Sequence, residues 1–202
     1  MILKDSVPEV VIVRPGWFAE NWASALDTIR SNPQDPYFDY HFSPVEHKIR
    51  TVRRLDGNGQ LKHSVANVHL QISLQDVSKI CADQIRRLGS ALPARPYVLD
   101  LHGPRAYSGL DIQQALEEAV GVKARIHVIQ PKDLFDHYSE KLPANMAQEV
   151  TEMTVAANGG GLLSTDELES KDQVVVRGSI ELVDILKQLA SGAVSKVASG
   201  AF

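Results

Sequence analysis

The chain has 202 residues, 44% of them hydrophobic, and a formal net charge of −4 at pH 7. This composition excludes an extensively disordered chain, and the length allows one large hydrophobic core or two small ones. The sequence pI near 6.0 argues against nucleic-acid binding, which requires a basic surface.

Cysteine content and apolar runs indicate the cellular setting. The single cysteine, Cys81, rules out an internal disulfide framework and fits a reducing compartment. No apolar run reaches the roughly 20 residues that cross a bilayer, and residues 1–10 lack the long apolar region of a signal peptide. The sequence therefore predicts a soluble protein of the cytoplasm, or alternatively of the nucleus, that contacts neither nucleic acid nor a membrane directly.

The first strong signal is a strand followed by a turn, in the stretch EVVIVRPGWFAENW at residues 9–22. The β-branched run at 10–13 is typical of a strand buried on both faces of a parallel sheet. Pro15 lacks a backbone donor and Gly16 permits a sharp turn, so the strand is predicted to end here. A helix is predicted over 18–31.

This turn is the best candidate in the chain for a ligand contact. Ligands of open α/β sheets lie in the crevice beyond the carboxyl ends of the strands, which is where residues 14–21 fall. The alternative is that the aromatic rings of Trp17, Phe18 and Trp22 are ordinary packing residues.

Residues 32–44, NPQDPYFDYHFSP, are predicted to form a loop rich in aromatic side chains. Three prolines exclude regular structure over most of it. Its aromatic rings are too many to remain solvated, so we expect some of them to line a pocket or to pack on the sheet. They are Tyr37, Phe38, Tyr40 and Phe42.

A β-hairpin is predicted over residues 46–72. Its turn is the sequence Asp-Gly-Asn-Gly at 56–59, where Asp-Gly and Asn-Gly pairs tolerate positive φ. Because the two arms are polar on average, we expect an exposed ribbon.

The clearest helix is predicted over residues 73–88, where Ser73 and Asp76 form a variant of the capping box. Its apolar side chains recur at helical spacing on one face, so this face is expected to be buried and Cys81 to be an inert core thiol. The stripe consists of Leu74, Val77, Ile80, Cys81, Ile85 and Leu88.

The rest of the chain alternates strands and helices. Strands are predicted at 96–103 and 124–129, and helices at 108–120, 132–141, 143–157 and 179–189. The three glycines at 159–161 follow a helix and precede no Lys-Ser or Lys-Thr pair, so they are interpreted as a connector rather than a phosphate loop. The order of elements predicts an α/β protein with a few parallel strands.

Several catalytic motifs are absent from the sequence. It contains no G-x-G-x-x-G after a strand, no Walker motif, no G-x-S-x-G and no H-E-x-x-H. The seven histidines have no Cys-x-x-Cys partner, so no metal site is predicted. His102 ends a predicted buried strand, and a structural role is favoured for it.

At VIVRPGWFAENW the chain resembles the NmrA-like family of atypical short-chain dehydrogenases/reductases. SLQDVSKICADQI is similar to a helix of that family, and YVLDLHGPRAYSGLDIQQALEEAVGVKARIHVI to its next strand, helix and strand. The end, from GGGLLSTDELES to VVVRGSIELVDILKQL, resembles the quinone oxidoreductase and triphenylmethane reductase branch. The resemblance covers about residues 1–190 and only the C-terminal half of such proteins, with 45–72 as an inserted hairpin and 191–202 as a flexible tail.

The resemblance implies an incomplete Rossmann-like parallel sheet, made of its last strands, with a helical C-terminal lobe on the substrate side. NADP or NAD would be the cofactor, contacted by the turn residues Arg14, Pro15, Gly16, Trp17, Phe18 and Asn21. Hydride would pass from NADPH to a quinone-like or conjugated small-molecule acceptor. The pocket for this acceptor would be lined by Trp17, Phe18, Tyr37, Phe38 and Tyr40, and no catalytic residue is identified.

Two departures from the family change this expectation. The Gly-rich dinucleotide loop is absent, so the pyrophosphate lacks its anion cradle, and we expect weak or no dinucleotide binding and impaired catalysis. Residues 1–6 look like the end of a helix, so the chain starts inside a βαβ unit, which together with the extra hairpin indicates a truncated gene product. The other alternative is a non-catalytic, dinucleotide-sensing regulator that binds a protein partner.

Overall fold

The computed structural model of the chain describes residues 9–42, 50–55, 61–66, 71–87, 91–94, 96–158 and 174–192. The strands are β1 (Val11–Pro15), β2 (Trp17–Phe18), β3 (Tyr37–Tyr40), β4 (Arg50–Leu55), β5 (Leu61–Ala66), β6 (Gln71–Ile72), β7 (Tyr97–His102), β8 (Arg125–Val128) and β9 (Val174–Arg177). The α-helices are α1 (Ala23–Ser31), α2 (Leu74–Arg86), α3 (Gly109–Val120), α4 (Leu134–Ser139), α5 (Ala144–Asn158) and α6 (Leu182–Ser191).

Parallel strands dominate the sheets, as the sequence predicts for an α/β chain. The main sheet has three parallel strands in the order β1-β7-β9, and two further parallel pairs are β2-β6 and β3-β8. The predicted burial of the β1 run on both faces is wrong for this chain, because residues 11–13 are each only half-buried. A β-branched composition indicates that a segment forms a parallel strand, whereas the burial of its side chains depends on what packs against the strand.

The predicted helix at 18–31 begins later than expected. Trp17 and Phe18 form β2, a 3₁₀ turn follows over Ala19–Trp22, and α1 starts at Ala23. The Gly16 N–H donates to the carbonyl oxygen of Leu101 at 2.8 Å, so the chain stays extended beyond the end of β1. The helical periodicity of the sequence gives no information on this hydrogen bond, because its acceptor lies on a distant strand.

The predicted loop at 32–44 contains a strand. β3 lies beyond Pro33 and Pro36 and pairs in parallel with β8, with Tyr37 opposite Arg125. The prolines limit the strand at its start, and residues 37–40 themselves contain none. The prediction was wrong because the partner strand lies far away in the sequence.

The predicted hairpin is confirmed in its two arms. β4 and β5 pair antiparallel, from Arg50 opposite Ala66 to Leu55 opposite Leu61, and the turn residues between them lie outside the described part of the chain. The second arm ends earlier than predicted, because Gln71 and Ile72 form β6 and pair with β2 instead. For β4 and β5 the structure describes the backbone only, so the predicted exposure of the ribbon stays a prediction.

Two helix starts were correctly predicted from capping residues. The Ser73 hydroxyl accepts a hydrogen bond from the Asp76 N–H at 2.9 Å, and Ser108 forms a full capping box with Asp111. α3 ends at a left-handed Gly121 with φ of 75°. These signals are local, so they operate whatever the rest of the chain does.

The apolar stripe of α2 is only partly buried. Val77 and Ile80 pack against the sheet, whereas Ile85 is 66% exposed and Cys81 is half-buried rather than in the core. Leu88 lies outside the described residues. The helix therefore meets the sheet with its first two turns, which explains why its later apolar positions stay in contact with water.

The later elements follow the predicted order with one addition. β7, α3, β8, α4 and α5 match the predictions within a few residues, while β9 was missed. Residues 159–173, with the three glycines, and the tail beyond 192 lie outside the described part of the chain.

Hydrophobic side chains form three clusters. The main core lies between α1, β3, α3 and α6 and includes Leu26, Ile29, Phe38, Tyr40, Ile112, Leu116, Leu182 and Leu186. The sheet cluster contains Ile72, Leu99 and Leu101, with Val11, Val13, Phe18, Val77 and Ile80 packed against it. The small cluster joins α4 and α5 to the end of β8 through Ile129, Leu134, Tyr138, Ala147 and Val150.

A buried carboxylate joins α2 to the segment between β9 and α6. Asp76 is 5% exposed, and its Oδ2 accepts the N–H groups of Ser179 and Ile180 at 3.0 and 3.1 Å. A Cβ added at Gly178 would overlap this carboxylate, so the glycine permits the close approach. Two backbone donors of this segment therefore depend on the carboxylate of one buried side chain.

We predict that Asp76→Ala lowers the free energy of unfolding by about 1–3 kcal/mol, because two partly buried N–H groups lose their acceptor. Urea unfolding followed by circular dichroism measures this change. Asp83→Ala is the matched control, since Asp83 lies on the same helix, is 49% exposed and pairs with Arg86. Its effect should stay within about 0.5 kcal/mol, and equal losses in both variants would contradict the prediction.

Candidate functional site

The turn that follows β1 lies where the sequence placed it, at the carboxyl end of the main sheet. Arg14 and Pro15 end β1 and are exposed, while Gly16 is bonded to Leu101 at the end of β7. Gly103 lies just beyond β7, and a Cβ there would overlap the carbonyl oxygen of Gln71. The ends of β1 and β7 are thus held tightly against the β2-β6 pair.

Arg14 forms an ion pair with Asp100 on the neighbouring strand. Its Nε and Nη2 donate to Asp100 Oδ1 and Oδ2, each at 2.7 Å, and the two residues are register partners on β1 and β7. The Asp100 side chain is 3% exposed and that of Arg14 is 48% exposed. The guanidinium therefore compensates a buried carboxylate, which limits what it offers to a bound anion.

Trp17 and Phe18 are half-buried and face different clusters. Trp17 packs against the main core and meets Phe42 edge-on, with 5.7 Å between ring centroids. Phe18 packs against the sheet cluster. Both rings have a packing role, and each retains an accessible part beside the turn.

Asn21 has the side chain of this turn that is most available to a ligand. It is half-buried, and within the described residues its carboxamide makes no hydrogen bond, while its backbone oxygen accepts the Ser24 hydroxyl at 3.4 Å. A carboxamide offers two donors and an acceptor. Such a group in a turn at the carboxyl end of a parallel sheet suits a polar ligand.

The five residues predicted to line one pocket are not brought together on one surface. Phe38 and Tyr40 are 0% and 1% exposed and pack on Trp22, whose ring stacks on that of Tyr40 at 6.2 Å. Burial raises the pKa of the Tyr40 hydroxyl above its usual range. Tyr37 points to the opposite face of β3, where it meets His127 edge-on at 5.8 Å. This correction follows from strand alternation, which the loop prediction excluded.

The sequence prediction missed two polar side chains next to the turn, the half-buried Glu20 and the buried Gln71. Glu20 Oε1 accepts the Leu74 N–H at 2.8 Å, and Gln71 Oε1 accepts the indole N–H of Trp22 at 2.9 Å. The other oxygen of Glu20 and the amide nitrogen of Gln71 are buried and have no hydrogen-bond partner among the described residues. Burial is the main cause that raises the pKa of Glu20.

These two residues could not have been found by motif. Glu20 sits where a helix was predicted, and Gln71 acquires its burial only when β6 pairs with β2. The one available signal was the position of Glu20 directly before Asn21 in the turn.

The described part of the chain contains neither a metal-binding cluster nor a membrane-spanning helix. No group of three or more His, Cys, Asp or Glu side chains there could hold a metal ion. None of the helices formed by those residues is long and apolar enough to cross a membrane.

Comparisons with known proteins indicate the fold. No protein-family model and no curated protein matches the chain. The structure is similar to that of the NADPH-dependent quinone oxidoreductase QOR2 of Escherichia coli complexed with NADPH, with a TM-score of 0.60 and 19% sequence identity. The match covers 93% of this chain and 56% of that one. The chain thus has a mixed α/β, Rossmann-like fold that spans little more than half the length of QOR2, and membership of the NmrA-like family stays a prediction.

We predict that Arg14→Met lowers the free energy of unfolding by about 2–4 kcal/mol, because the buried Asp100 carboxylate loses its cation. Adding Asp100→Asn should restore part of this loss, since the double variant buries no charge there. Thermal and urea unfolding measure both changes.

Arg30→Met is the matched control, because this exposed arginine donates to the carbonyl oxygen of Ala190 at 2.6 Å and pairs with no buried acid. A loss below about 1 kcal/mol is expected. A double variant that is no more stable than Arg14→Met would overturn the assignment of the loss to an uncompensated charge.

Proposed function

We propose that the turn at residues 14–21 forms the nicotinamide side of an NAD(P)-dependent oxidoreductase site. The observation that carries the proposal is the carboxamide of Asn21, which makes no hydrogen bond among the described residues and shares a turn with the half-buried rings of Trp17 and Phe18 at the carboxyl end of β1. The similarity to the fold of an NADPH-bound quinone oxidoreductase supports it.

The chain's residues fit one end of the cofactor better than the other. A nicotinamide has an aromatic ring and a carboxamide, which match an aromatic surface and an amide side chain. A pyrophosphate needs backbone N–H groups at a Gly-rich turn that opens a helix, and the sequence has no such motif after a strand. Arg14 cannot replace that cradle freely, because Asp100 holds two of its nitrogens.

The bound nicotinamide would supply hydride to a quinone-like or other conjugated acceptor. Asn21 would orient the ring, and Trp17 and Phe18 would exclude water from one side of it. Tyr37 would reach the acceptor only from the outer face of β3, while Phe38 and Tyr40 would support the wall from the core. We infer that the isolated chain binds NADPH weakly and turns over substrate poorly.

A second candidate is a non-catalytic regulator that binds a protein partner. The observation that favours it is the exposure of Met146 and Met153, at 46% and 39%, seven residues apart on α5 and so on one face. Methionine side chains suit adaptable protein contacts. A partner whose binding is lost in Met146→Gln/Met153→Gln, with NADPH binding unchanged, would favour this function.

We predict that NADPH titrated to millimolar concentration shifts the NMR signals of the Trp17 indole and the Asn21 carboxamide. Asn21→Ala should weaken binding by roughly fivefold, which corresponds to the loss of about one hydrogen bond. Asn32→Ala is the matched control, since the Asn32 carboxamide donates to the carbonyl oxygen of Thr28 at 2.8 Å. It should bind NADPH as the unmodified chain does.

Two results would count against the proposal. Shifts that avoid the turn would exclude it as the nicotinamide side. Saturable binding at low micromolar concentration would show that the chain needs no Gly-rich loop. Any quinone-dependent oxidation of NADPH should fall in Asn21→Ala and persist in Asn32→Ala.

A further inference from the structure

A cluster of ionisable side chains lies between the outer face of the β3-β8 pair and helix α4. Strand alternation turns Asp39 and His41 away from the main core, and His137 and Tyr138 approach them from α4. The imidazole nitrogens His41 Nε2 and His137 Nε2 are 3.2 Å apart. This cluster belongs to no part of the candidate site described above.

The hydrogen bonds of the cluster run in one direction. Thr154 Oγ1 donates to the carbonyl oxygen of Val150 at 2.8 Å, so it accepts from the Tyr138 hydroxyl at 3.0 Å. The Tyr138 oxygen then accepts from His41 Nδ1–H at 3.0 Å, which leaves His41 Nε2 as the acceptor of His137 Nε2–H. The tautomers of both neutral rings are thereby assigned from the network.

This arrangement limits how many protons the histidine pair can hold. A proton added to His137 Nδ1 leaves every bond in place. A second proton, on His41 Nε2, would set two N–H groups and two positive charges against each other across 3.2 Å. The pair therefore tolerates one added proton and resists two.

The charged groups around the pair do not remove this restriction. Asp39 Oδ2 lies 3.9 Å from His137 Nε2, but Asp39 also bonds His127 at 2.8 Å and faces Lys141 at 4.0 Å. Burial is the main cause that lowers the pKa of His41 to about 4, and His137 and Lys141 act in the same direction against the opposing effect of Asp39. Burial and Lys141 also lower the pKa of His137, against the opposing effects of Asp39 and Glu140.

The same hydrogen bonds connect the end of β3, helix α4 and helix α5. His41 follows β3, Tyr138 belongs to α4, and Thr154 belongs to α5. Among the described residues, the only buried hydrophobic cluster that joins α4 and α5 to the end of β8 is the small one of five residues that includes Leu134 and Val150. The α4-α5 pair thus depends on this network more than the larger cores do.

We propose that the His41–His137 pair is an acid-sensitive latch, which releases α4 and α5 from the β3-β8 pair when both rings become protonated. Docking lowers the pKa of both histidines, so the released state binds more protons than the docked state. The docked state is therefore most stable above about pH 6.5, and it weakens as the pH falls from there toward the docked pKa of His41, about 4.

Amide hydrogen exchange of α5 tests the proposal. For His41 alone, linkage predicts that the opening equilibrium rises about tenfold between about pH 7.5 and pH 5.5, after correction for intrinsic exchange. Exchange of α3, in the main core, is the internal reference and should show no such rise. Equal rises in α5 and α3 would mean global unfolding and would overturn the latch.

Matched histidine variants identify the groups responsible. His41→Gln keeps a donor and an acceptor but does not titrate, so the tenfold change in α5 exchange should be lost and only the contribution of His137 should remain. His127→Gln removes a 57% exposed histidine of the same cluster and should leave the tenfold change intact. Retention of the change in His41→Gln, or its loss in His127→Gln, would overturn the proposal.

If His41→Gln does not fold, an NMR pH titration of the histidine rings in the unmodified chain tests the same proposal. In the unmodified chain, long-range ¹H–¹⁵N spectra should show Nδ1–H on His41 and Nε2–H on His137, and His41 should titrate last. The opposite tautomers, or a His41 ring that titrates like an exposed histidine, would contradict the network from which the latch is inferred.

Discussion

The buried carboxylate of Asp76 is the contact on which the arrangement of the core helices depends. It accepts the N–H groups of Ser179 and Ile180 and so fixes the chain between β9 and α6. α6 in turn packs in the main core beside α1 and α3. Because both N–H groups bond to the same buried carboxylate, a side chain near the start of α2 helps to set the position of α6.

The same helix start also holds the candidate site. Glu20, in the 3₁₀ turn, accepts the Leu74 N–H at the beginning of α2, so two carboxylates lie at the positive end of one helix dipole. Burial raises the pKa of Glu20 against the backbone hydrogen bonds that lower it, and the negative charge of Asp76 acts in the same direction as burial. The start of α2 is therefore hydrogen-bonded both to the turn that carries Asn21 and to the segment before α6.

The fold explains why the turn is the candidate site of this chain. Parallel strands that end together at β1 and β7 create an edge where a ligand can meet polar side chains. This chain places an amide and two aromatic rings there, and it spans 56% of the length of a quinone oxidoreductase of similar fold. The proposed histidine latch lies between α4 and the outer side of β3, the side on which Tyr37 contacts His127, whereas Trp17, Phe18 and Asn21 lie in the turn after β1.

The sequence by itself determined the features that depend on neighbouring residues. Ser73 and Ser108 begin helices, Gly121 ends one, and the predicted hairpin arms pair with each other, because caps and hairpin signals need only a few consecutive residues. It also located the turn after β1, since a β-branched run followed by Pro-Gly is a local signal.

Only the tertiary structure decided which side chains meet. β2 and β6 are two residues each, too short for any periodicity, and yet their pairing buries Gln71. β3 exists because β8 lies beside it, and its alternation sends Phe38 and Tyr40 into the core and Tyr37 outward. Arg14 meets Asp100 because β1 and β7 are in register across 86 residues. A pattern within one segment carries no information on its partner, and these contacts form only when distant strands pair.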